Sequence, residues 1–204
     1  MALESRLIAL GEWTPPELRA KLSDKSLTLG EYAETWWAER ALKPTTREHY
    51  RYVLNRDLIP AFGNTELQGI TPESVRTWYA SYDPSTPTVR SHAYSLLRTI
   101  LGTAVTDGLL IANPCHIRGA GNVQRAHKVE PATLAELETI VKELPDRYRV
   151  MALLAAWCAM RYGELTELRR KDVDLEEGVV RIRRGVVRVN GEFIVGTPKT
   201  DAGV

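Results

Sequence analysis

Apolar residues recur every three or four positions through most of the chain and switch to alternation after residue 174, so the pattern predicts helices first and strands last. Residues 1–26 carry the weakest signal. Leu3, Leu7, Ile8 and Leu10 can line a short helix that Trp13-Thr14-Pro15-Pro16 would stop, and the segment reads as a lead-in. Thr28-Leu29-Gly30-Glu31 then forms a capping box, followed by the bulky stripe Tyr32, Trp36 and Trp37. A second box, Thr45-Thr46-Arg47-Glu48, opens a helix with Tyr50, Val53, Leu54 and Leu58 inward, ended by Pro60 and Gly63. Thr71-Pro72-Glu73 and Thr86-Pro87 each place proline in a first helical turn. The second of these starts a long helix carrying Val89, Ala93, Leu96, Leu97, Ile100, Leu101 and Ala104, closed near Gly108. Four helices with short connections predict an all-α domain over 27–112.

Residues 113–131 break the period with glycines, prolines and scattered cations, and read as an interdomain linker. Thr133-Leu134-Ala135-Glu136 starts the next helix, and Pro145 separates it from the apolar run 150–160. After Asp174, Val179–Arg183 and Val186–Val189 are β-branched runs. Asn190-Gly191 is a hairpin turn signal, and Phe193-Ile194-Val195 begins the return strand. The expected fold is mainly α with a small antiparallel β element, in which 132–204 form the front part of an α+β domain.

Composition narrows the function classes. The 204 residues are 44% hydrophobic with a net charge of +1, enough for one or two modest cores. Bulk charge does not advertise nucleic-acid binding, so any such reading rests on local clusters. Cys115 and Cys158 make no disulfide framework, and Cys158, inside the apolar run, is expected to be a buried thiol. No signal peptide is evident and the run at 150–160 falls short of the ~20 residues a bilayer span needs, so a cytosolic protein without membrane contact is expected.

The run at 150–160 ends in Arg161, with Gly163 two residues on and Leu165 and Leu168 spaced to face inward. This predicts a buried helix, a sharp corner and a second helix, with Arg161 anchored at the corner. Such an arginine can cap carbonyls, pair with Glu164 or Glu167, or meet an external anion. The string Met160-Arg161-Tyr162-Gly163-Glu164-Leu165-x-x-Leu168-x-x-x-Asp172-Val173-Asp174 resembles the first signature of the tyrosine recombinases, the phage integrase family. In that family an arginine in this setting clamps the phosphate being cut.

Further strings carry the same resemblance across about 26–203: Thr46-x-x-x-Tyr50-x-x-x-Leu54, Ile59-Pro60-x-x-Gly63, Leu67-x-x-Ile70-Thr71 and Gly108-Leu109-x-x-x-Asn113-Pro114. It implies a helical core-binding domain and the N-terminal half of a tyrosine-recombinase catalytic domain, acting on double-stranded DNA with no metal and no cofactor. It makes Arg161 the phosphate clamp, Glu164 the residue that orients it, and Lys199 in Thr197-Pro198-Lys199-Thr200 the acid for the leaving 5′ oxygen. Ala159 stands where the family usually has glycine. After Arg161 there is no His-x-x-Arg, and Tyr162, adjoining the arginine, cannot serve as nucleophile. The resemblance therefore implies a chain that stops inside its catalytic domain, monomeric and inactive alone, whose full-length form would join other protomers.

The cations and hydroxyls best placed for DNA are Lys43, Thr45, Thr46, Arg47 and Arg51 at the start of the second helix. Arg90, Ser91, Tyr94 and Arg98 on the long helix, and Arg125 and Lys128 in the linker, complete the set. Two other function classes fit the same helices: a non-catalytic DNA-binding regulator and a protein-interaction module.

Overall fold

A computed structural model describes residues 27–123 and 130–198. The chain divides into two compact units, with the division after Arg125. The first contains α1 (Leu29–Glu39), α2 (Pro44–Val53), α3 (Ile59–Phe62), α4 (Pro72–Ala80) and α5 (Pro87–Thr106). Its core gathers Leu29, Trp36, Leu54, Leu58, Val75, Leu97, Ile100 and Leu101, all buried. Truncating one of these leucines to alanine would cost about 2–5 kcal/mol in lost transfer energy and cavity.

Local chemistry explains where the helices begin. Thr28 and Glu31 form the expected box, with the Thr28 Oγ accepting from the Glu31 N–H and the carboxylate accepting from the Thr28 N–H. The Leu29 and Gly30 N–H groups donate to the carbonyls of Thr65 and Gly63, so the free donors of this first turn are satisfied. Gly30 must be glycine: a Cβ there would lie 2.9 Å from the Gly63 oxygen.

The second box did not form. Pro44 takes the first helical position, Lys43 is the N-cap without a side-chain bond, and Thr45 and Thr46 lie inside the first turn. Nor does Pro60 end this helix. The backbone widens into a π-helical turn over Leu54–Leu58, with the Ile59 N–H reaching the Leu54 carbonyl, and continues as α3 to Phe62. A proline clashes with the carbonyl four residues before it, and the wider turn relieves that contact at Arg56.

The segment expected to be linker also differs. Cys115 and Ala120 are buried in the core of the first unit. The Asn113 side-chain amide donates to the Arg98 carbonyl, and the Ile117 N–H donates to the Tyr94 hydroxyl at 2.8 Å. Residues 113–120 are a strap of the helical unit, because small apolar side chains and an asparagine turn let irregular backbone pack on α5.

The second unit contains α6 (Leu134–Glu143), α7 (Asp146–Cys158) and α8 (Tyr162–Thr166). Strands β1 (Val173–Asp174) and β2 (Val179–Val180) pair antiparallel, and β3 (Gly185–Val189) pairs with β4 (Glu192–Gly196) in a hairpin with Val187 opposite Ile194. Asn190 and Gly191 both have positive φ, 51° and 88°, as a two-residue hairpin turn requires. The fold is mainly helical with small antiparallel sheets, as the pattern predicts. Among the described residues α7 has no buried position: Val150, Leu153 and Trp157 are exposed and so is Cys158, against the expected buried helix and buried thiol. An apolar run fixes what a helix can bury, and the neighbouring elements fix what it does bury.

Candidate functional site: the arginine corner and the α2–α5 surface

The corner at the end of α7 is built by Ala159, which takes the left-handed conformation at φ 50°. Glycine adopts it freely and alanine at a cost of roughly 1–2 kcal/mol. Alanine at this position therefore bears the same turn, with strain. Met160 is buried, and Arg161 follows as the extended N-cap of α8. One Glu164 oxygen accepts from the Arg161 backbone N–H at 2.9 Å, the other from its guanidinium at 2.9 Å. The Glu164 side chain is 8% exposed and that of Arg161 57%. The Arg161 N–H first, then its guanidinium, hold the carboxylate below its ordinary range. Arg161 is thus rooted at the corner beside packed structure, with its head open to solvent. One donor faces Glu164, and a guanidinium has five.

The hairpin packs against this corner. A Cβ on Gly163 would run into the Val186 carbonyl oxygen, and one added to Gly185 would lie 3.8 Å from the Glu164 side chain. Leu165 and Leu168 are half-buried, and Leu168 falls outside the single turn of α8. Sequence reasoning missed a second network beside them. Asp172, 1% exposed, pairs with Arg184, which also lies 3.8 Å from Glu167, and Glu167 pairs with Arg169. No spacing rule links Asp172 to Arg184, since the pairing depends on how the sheet folds back.

The DNA candidates fall into three groups. Lys43 and Thr45 are exposed at the start of α2, and Arg98 is exposed on α5. Thr46, Arg47, Arg51 and Arg90 are half-buried. Arg47 and Arg51 stack on Trp37 at 4.2 and 4.0 Å, Arg51 also pairs with Glu34, and Arg90 stacks on Tyr79 at 4.6 Å. Ser91 and Tyr94 belong to the core, at 2% and 1% exposed, so their assignment to a groove-facing surface is corrected. Tyr94 lies on the stripe of Leu97 and Leu101, and its hydroxyl is occupied by the Ile117 backbone. Lys199, Arg125 and Lys128 lie outside the described residues.

Helices α2 and α5 are neighbours. His49 and His92, both exposed, meet edge to face across them at 5.2 Å. Partial burial first, then the neighbouring His92 and Arg56, push the His49 pKa down.

Residues 28–81 match the family model for the phage integrase N-terminal SAM-like domain. The chain is 57% identical over 175 residues to a putative prophage phiRv2 integrase of Mycobacterium tuberculosis, covering 86% of this chain and 47% of that protein. It is 41% identical over 204 residues to the integrase of Mycobacterium phage L5, covering 98% of this chain and 54% of the relative. The chain spans about half the length of the curated relatives it matches. The fold also matches the Tn1549 transposon integrase, solved in complex with circular intermediate DNA, with a TM-score of 0.69, 18% identity and coverage of 84% of this chain and 59% of that one. Residues 28–81 thus match a phage integrase SAM-like domain, and over the part it spans the chain is similar to phage integrases.

Proposed function

We propose that this chain is the DNA-binding and phosphate-clamping front part of a site-specific recombinase. Its α2–α5 surface would hold duplex backbone through Lys43, Thr45 and Arg98, with Arg47 and Arg51 behind them. Arg161, steered by Glu164, would grip the non-bridging oxygens of the scissile phosphate, where a planar fork meets two oxygens at once. Lys199 would give its proton to the leaving 5′ oxygen while a tyrosine oxygen attacks phosphorus, forming a 3′-phosphotyrosyl bond.

The observation that carries this reading is the corner itself: an arginine with an open head beside packed structure, tied to one carboxylate. The tyrosine that attacks is not among the residues after Arg161, where Tyr162 stands beside the clamp. This chain alone would therefore bind DNA and leave it uncut. The uncovered apolar face of α7 supports a larger catalytic domain whose remaining elements lie in the part of the relatives that this chain does not span. In the whole protein, partner protomers would share the DNA, in the cytosol of the host.

The same α7 face favours one rival, a protein-interaction module. A gel-shift series on a mixed-sequence duplex separates them. The recombinase reading expects binding that weakens as salt rises and weakens further in Lys43→Ala/Arg47→Ala, with no nicking of the duplex. Binding indifferent to both salt and the double replacement would sink it.

A further inference from the structure

The Arg47 and Arg51 guanidinium groups both lie over the Trp37 ring, at 4.2 and 4.0 Å from its centre. The indole is fixed: its N–H donates to the Arg47 carbonyl at 3.2 Å, and the Arg47 guanidinium donates to the Arg40 carbonyl at 2.9 Å. Arg51 presents its fork to Glu34 of α1 in two parallel bonds of 2.5 and 2.8 Å. Both partners reach solvent, with side chains 29% and 53% exposed. The hydrogen bond from Arg51 holds the Glu34 carboxyl below its ordinary range, so it is ionised at neutral pH.

A carboxylate and a phosphodiester offer a guanidinium the same edge of two oxygens. We propose that Glu34 occupies the edge of Arg51 that a DNA backbone phosphate takes, and so sets the affinity of the α2 surface by competing for that arginine. This rests on the DNA-binding reading above. Trp37 keeps the guanidinium plane in place, so the exchange swaps one anion for another without rebuilding the arginine. Both side chains reach solvent, so a phosphate can approach the edge that Glu34 holds and compete for it. The displaced carboxylate then faces the DNA and lowers affinity a second time. Glu34 and Arg51 lie 17 residues apart on different helices, which hides the pair from any sequence spacing.

Fluorescence anisotropy of a labelled mixed-sequence duplex tests this with the full chain over a salt series, comparing wild type, Glu34→Gln, Arg51→Gln and the double replacement. Glu34→Gln should bind roughly threefold tighter at low salt, and its plot of log affinity against log salt should steepen by about one. In the Arg51→Gln background the gain should shrink to less than half, because the arginine being released is gone. Urea melts of each protein confirm that the fold is kept. Binding of Glu34→Gln equal to or weaker than wild type overturns the proposal. So does a gain undiminished without Arg51, which would make Glu34 a general repulsive charge. A wild-type chain that binds no duplex at any salt overturns the DNA-binding reading and this inference with it.

Discussion

Glu164 accepts two bonds of 2.9 Å from Arg161, one from its backbone and one from its guanidinium. One carboxylate thereby caps α8 and aims the arginine. Glu164→Ala removes both contacts and should cost the second unit about 1–2 kcal/mol in urea denaturation. Glu164→Gln keeps an oxygen for the backbone N–H and should cost less. Equal losses in the two variants would show that the cap contributes nothing beyond charge.

The corner holds two positions with opposite expectations. Ala159 sits at φ 50°, so Ala159→Gly should stabilise the second unit by up to about 1 kcal/mol once the greater freedom of unfolded glycine is subtracted. Gly163 has no room for a Cβ against the Val186 carbonyl, so Gly163→Ala should destabilise by about 1–3 kcal/mol. Hydrogen exchange of the β3–β4 amides reads the second effect directly: protection should fall in Gly163→Ala and hold in Ala159→Gly.

Tyr94→Phe separates packing from recognition. The hydroxyl accepts from the Ile117 N–H at 2.8 Å within the core of the first unit. Its loss should cost about 1 kcal/mol by removing the partner of that half-buried donor. DNA affinity, corrected for the folded fraction, should not change. A specific loss of affinity in a fully folded variant would return Tyr94 to the DNA surface.

What the sequence revealed follows from what is local. Thr28, Thr71 and Thr133 cap helices through residues three positions away, and Asn190-Gly191 sets its own turn, so each was legible without a fold. For Tyr94 the period outweighs the polar chemistry: it precedes Leu97 by three and Leu101 by seven, the spacing of a buried stripe. The exposure of α7 and the Glu34–Arg51 and Asp172–Arg184 pairs depend on which elements meet, and no window of sequence contains that. Arg161 and Glu164, three apart on one turn, were legible as a pair. The open head of Arg161 was not.

The capping glutamates set an acid limit. Glu31 and Glu136 are held below the ordinary value of 4.5, first by the backbone N–H groups of Thr28 and Thr133. A depressed folded-state pKa means the contribution is complete above the unfolded value near 4.5 and is lost as pH falls through the lower folded value. The urea midpoint should therefore hold steady from pH 7 to about 5 and fall below pH ~4.5, less steeply in Glu31→Gln/Glu136→Gln. A midpoint that does not change down to pH 3 would contradict these caps.

The most direct test of the phosphate clamp is arginine-selective NMR of the chain titrated with duplex DNA. The Arg161 Nε–H signal is assigned by its absence in Arg161→Lys. The account predicts that this signal shifts and exchanges more slowly with water as duplex is added, and that salt reverses the change. A signal unmoved at saturating DNA, while the Arg47 and Arg98 signals respond, would contradict it.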